Sequence, residues 1–99
     1  MCTYEIYQLK RIPENRDISF ESMDHLKIRG VKPEATRYEK VYSGTTSDDT
    51  TLEDIFFIFN MKRPNDFTGH SLSVSDVVVL NGEAHYVDDF GFQLIPDFF

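Results

Sequence analysis

The sequence predicts an α+β fold: four to five mainly antiparallel strands and two helices, packed in layers as one domain over residues 1–99. Three observations point there. Short segments rich in aromatic and β-branched residues alternate with turn signals. One segment, opening at Thr50-Thr51, has helical periodicity behind a capping signal. An Asn81-Gly82 pair separates two apolar runs, the pattern of a tight hairpin.

Thr3 to Lys10 has strand-forming residue types. Extended, it places Tyr4 and Ile6 on one face and Glu5, Tyr7 and Leu9 on the other, so an interior sheet position is expected. Pro13-Glu14-Asn15 breaks it. A short helix is expected over Glu21–Arg29, capped by Ser22 and stopped by Gly30, with Met23 and Leu26 one turn apart. Pro33 delays the next element, a strand from Tyr38 to Ser43 with Tyr38 and Tyr42 on one face and Val41 on the other. Gly44 to Asp49 is a polar loop.

In the second helix, Thr50 with Glu53 or Thr51 with Asp54 forms the capping box, and the acids complement the helix dipole. Leu52, Ile55, Phe56 and Phe59 make one apolar stripe. Phe57 and Ile58 lie outside it. Burial on more than one side is the expectation for this helix, with an exposed contact patch as the alternative. Pro64 ends the segment. After a turn at Thr68–Leu72, Val74–Leu80 reads as a buried strand, Ala84–Val87 as its hairpin partner, Asp88–Gly91 as a turn and Phe92–Ile95 as a last short strand.

A chain of this size buries about 65% of its extended surface, enough for one modest core but not for a deep enclosed cavity besides. The lone cysteine, Cys2, excludes an internal disulfide and a cysteine-rich zinc site, and is expected to be a partly mobile terminal thiol. No apolar run reaches the ~18 residues of a membrane span, and no signal-peptide pattern opens the chain. Cytoplasmic residence is the default expectation.

Charge is unevenly spread. Residues 1–50 hold eight Lys/Arg against nine Asp/Glu, net −1, and residues 51–99 hold two against eight, net −6. That balance disfavours direct nucleic-acid binding and suits a protein partner with a basic surface, although solubility alone is the plainer reading. The basic residues Lys27, Arg29, Lys32, Arg37 and Lys40 are interleaved with acids and read as a mixed surface.

His25, His70 and His85 lie apart with no ligand spacing, so no metal is expected. His70, Ser73 and Asp76 hold the letters of a hydrolytic triad, but crowded into one turn they read as local hydrogen-bonding groups. Phosphate-cradling glycine motifs are absent, so no cofactor is expected. No enzyme activity is expected.

Thr51-Leu52-Glu53-Asp54-Ile55, the block from Gly69-His70-Ser71-Leu72-Ser73-Val74-Ser75-Asp76 to Leu80, Tyr86-Val87-Asp88 and Phe90-Gly91-Phe92 together resemble the YodL domain. Ile6 to Lys10 and Arg16-Asp17 extend the resemblance over nearly the whole chain. It implies a setting in bacterial conjugative and other mobile elements and brings no catalytic residues with it. The very apolar Phe56-Phe57-Ile58 departs from the family pattern.

The expected function is that of a small acidic protein-binding module, specifically a counter-defence inhibitor of a CRISPR or restriction nuclease. The alternative is a non-inhibitory module of conjugation or mobilisation machinery. The candidate contact carboxylates are Asp48, Asp49, Glu53, Asp54, Asp88 and Asp89. As exposed turn charges, Asp88 and Asp89 are expected to contribute little to folding.

Overall fold

The computed structural model describes residues 1–99. Its strands are β1 (Cys2–Leu9), β2 (Tyr38–Thr46), β3 (Val77–Leu80), β4 (Glu83–Val87) and β5 (Phe92–Leu94), and its helices are α1 (Met23–Arg29) and α2 (Leu52–Met61). The sheet order is β2-β1-β3-β4-β5, and every neighbouring pair is antiparallel. β1 is interior, as apolar groups on both of its faces predict.

The sheet divides the interior into two cores. Met23 and Leu26 of α1 pack with Val77, Val79, Ala84, Tyr86 and Phe98 on one face. On the other, Ile55 and Phe59 of α2 pack with Ile6, Leu72, Val78 and Val87. The period of two along β3 sends successive valines to opposite cores, which is why the run is apolar without alternation. Each large side chain buried this way contributes about 1.5–3 kcal/mol.

Local signals set the element ends. Ser22 accepts the His25 backbone N–H and Gly30, at φ 71°, closes α1 in the left-handed region. The capping box of α2 uses Thr51 and Asp54, each side chain bonding the other's backbone N–H. Asn81 (φ 53°) and Gly82 (φ 82°) form the expected two-residue hairpin turn between β3 and β4.

Four expectations need correction. β2 continues through Thr46, because Gly44 to Thr46 pair with Tyr4 to Cys2. Tyr38 and Tyr42 face opposite cores: the register passes from Ile6↔Tyr42 to Tyr7↔Lys40, and the unpaired Val41 is a bulge that reverses the facing. β3 begins only at Val77, because Ser75 adopts φ 89° and breaks the extended run. Cys2 is no loose thiol; it is buried in β1 opposite Thr46.

Candidate functional site

α2 buries one face only. Ile55 and Phe59 are sealed, Leu52 and Phe56 are partly covered, and Phe57 (52% exposed) and Met61 (70%) face outward. Burial on more than one side therefore does not hold. The sheet presents a single surface to this helix, and no other element covers its far side. Phe56, Phe57 and Met61 instead line an open cleft of about 540 Å³, closed opposite by Val74, Val87 and Phe92. The Phe56 and Phe92 rings meet edge to face at 6.2 Å.

Three of the six candidate carboxylates, Glu53, Asp88 and Asp89, line the same cleft. Glu53 and Asp89 are exposed at its rim. Asp88 differs. It is 9% exposed, and its Oδ1 accepts the Met23 backbone N–H at 3.0 Å and that of Asp89 at 2.8 Å. It therefore holds the start of α1 against the β4–β5 turn, which overturns the reading of Asp88 as a surface charge without structural consequence. Asn60 also lines the cleft, and its Oδ1 is buried with no hydrogen-bond partner.

The other three carboxylates are not brought to this cleft. Asp48 and Asp49 are exposed in the β2–α2 loop, where Asp49 accepts from Ser47 Oγ at 2.7 Å. Asp54 is engaged in the α2 capping box. The basic residues near α1 and β2 form the mixed surface expected of them. Arg29 pairs with Glu21, Lys32 with Asp97, Arg37 with Asp17 and Lys40 with Glu5.

The Gly69–Asp76 segment forms a polar knot against β1. Gln8 Nε2 donates to the His70 carbonyl at 2.8 Å and to Asp76 Oδ2 at 3.3 Å, and the Ser73 N–H donates to the same oxygen at 3.0 Å. A Cβ at position 69 would stand 2.5 Å from Gln8 Oε1, so glycine lets the segment approach. Burial pushes the Asp76 carboxyl up to about 7, while the Ser73 N–H, His70 and Gln8 pull it down.

His70, Ser73 and Asp76 do not form a relay. The His70 Nδ1–H donates to the Ser71 carbonyl at 2.7 Å and stands 4.0 Å from Asp76, and Ser73 engages Asp76 through its backbone N–H. His25 pairs with Glu21, and His85 lies on β4 opposite Val78 and Leu94. No three His, Cys, Asp or Glu side chains gather as a metal-binding group, and no helix is long and apolar enough to cross a membrane.

Sequence reasoning missed Gln8, whose partners lie more than sixty positions away, and Asn60, whose isolation is visible only in three dimensions. The stripe departure at Phe57 was the available signal for the cleft.

An antiparallel five-stranded sheet with a helix packed on each face makes this a small α+β domain. The family model of the YodL-like domain matches residues 3–98, nearly the whole chain, and the chain belongs to that family. No curated protein and no solved structure matches it.

Proposed function

We propose that this chain is a non-catalytic protein-binding module of a bacterial mobile genetic element that blocks a host CRISPR or restriction nuclease by occupying its nucleic-acid-binding surface. The observation that supports this reading best is the α2 cleft. Phe57 and Met61 offer exposed apolar anchors, and the Glu53 and Asp89 carboxylates rim them. Apolar anchors inside a charged rim are the usual arrangement of a protein-binding hot spot.

Sign follows from charge. The net charge is −7, six units of it in residues 51–99, so the complementary surface is basic. Basic, partly apolar grooves are what nucleases present to nucleic acid. The His70 ring donates to the Ser71 carbonyl and Ser73 meets Asp76 through its backbone N–H, which supports the non-catalytic part of the reading.

The experiment is a nuclease challenge. Purified protein is added to a panel of CRISPR effectors and restriction enzymes before their target DNA. Protection of the DNA at stoichiometric protein is the expected result. Binding to conjugation or mobilisation proteins, with no protection from any nuclease, would replace this reading with the non-inhibitory module.

A further inference from the structure

A second cleft, of about 470 Å³, opens where the chain leaves β1, between the 3-10 segment Pro13–Asp17 and residues Ser75 and Asp76 just before β3. Its chemistry is opposite to that of the α2 cleft. Arg11 and Arg16 line it, and neither makes an ion pair or side-chain hydrogen bond within the protein, whereas Arg29 and Arg37 are both paired with acids. Asp76 is the one carboxylate in the lining. Its Oδ2 is taken by Gln8 and Ser73, and its Oδ1 accepts no protein donor.

The backbone singles out the same place. Three non-glycine residues have positive φ: Phe20 (61°), Ser75 (89°) and Asn81 (53°). Asn81 has its reason in the hairpin turn. Phe20 and Ser75 both line this cleft, and such conformations in residues other than glycine gather at ligand sites. Phe20 is also 71% exposed, a large ring held out at the cleft edge with its face unused.

We propose that this cleft binds a free mononucleotide, its phosphate held by Arg11 and Arg16 and its base stacked on Phe20. Guanidinium groups present planar donor forks that match phosphate oxygens. An aromatic face stacks any base. The volume lies within the range of about 300–1,000 Å³ that small-molecule sites occupy. A nucleotide unit could also come from a single strand. The net charge of −7 repels a polyanion, and this selects the free nucleotide. The cleft shares no lining residue with the α2 cleft.

The test is a nitrogen-15 NMR titration of the full chain with AMP, GMP, CMP and UMP, alongside inorganic phosphate and a short single-stranded oligonucleotide. At least one mononucleotide is expected to shift amides around Arg16, Phe20 and Ser75 and to bind about tenfold more tightly than inorganic phosphate. Arg11→Ala with Arg16→Ala should weaken binding by tenfold or more. Phe20→Ala should weaken it about tenfold and Phe20→Tyr hardly at all. These side chains make no internal bonds, so melting curves should stay at the wild-type position. Absence of shifts with every mononucleotide at millimolar concentration would overturn the assignment. Equal affinity for inorganic phosphate, tighter binding of the oligonucleotide, or unchanged affinity in the double arginine variant would do so as well.

Discussion

Asp88 Oδ1 accepts the backbone N–H of Met23 at 3.0 Å, joining the β4–β5 turn to the first residue of α1 across 65 positions of sequence. The donor is one of the amides a helix start leaves unpaired, and here it is buried. Removing the acceptor strands it. Asp88→Ala should cost about 1–3 kcal/mol in urea denaturation, while Asp89→Ala, at an exposed neighbour, should stay within about 0.5 kcal/mol of wild type. Equal effects at both positions would show that the bond does not support α1.

Phe59 and Phe57 separate the buried and open sides of α2. Phe59 is 1% exposed and meets the rings of Tyr4, Tyr42 and Phe67 edge to face. Phe59→Ala should therefore cost about 3–5 kcal/mol. Phe57→Ser should cost only about 1 kcal/mol, because about half of the residue already faces water. Denaturant melts of the two variants check both values.

Asp76 makes stability depend on pH. Its carboxyl titrates near 7 in the folded chain against 3.8 when free, because burial disfavours the charged form. Between those values the folded chain binds more proton than the unfolded one, so stability falls as pH rises. The contribution is complete below about pH 4 and is lost as pH passes 7, a few kcal/mol in all. Asp76→Asn should flatten this slope between pH 5 and 8 relative to wild type. A wild-type slope of the opposite sign, or one unchanged in the variant, would place the titration elsewhere.

Local signals were legible in the sequence wherever a residue acts on its immediate neighbours. Gly30 and Asn81-Gly82 mark element ends through their own backbone where the pattern placed them, and of the two capping boxes the pattern allowed, the helix uses Thr51 with Asp54. The bulge at Val41 was not legible, since an extra residue in a strand leaves the composition of a strand. Nor was the left-handed Ser75, which ends an apolar run that reads as continuous strand. The site was half visible. Phe57 broke the stripe, and the acids were in view. The burial of Asp88, however, depends on Met23, and the Gln8–Asp76 bond joins residues 68 positions apart. Such long-range pairings leave no local pattern.

On the proposed function, the α2 cleft is where a basic partner docks. Association kinetics with a nuclease that the protein inhibits, followed at two ionic strengths, test it most directly. Wild-type association should slow as salt rises, since charges at an interface rim are screened over about 8–10 Å. Glu53→Lys with Asp89→Lys should slow association further, and Phe57→Ser with Met61→Ser should hasten dissociation, all with melting temperatures near wild type. Salt-independent association, with both double variants binding as wild type does, would contradict the claim and move the contact to another face.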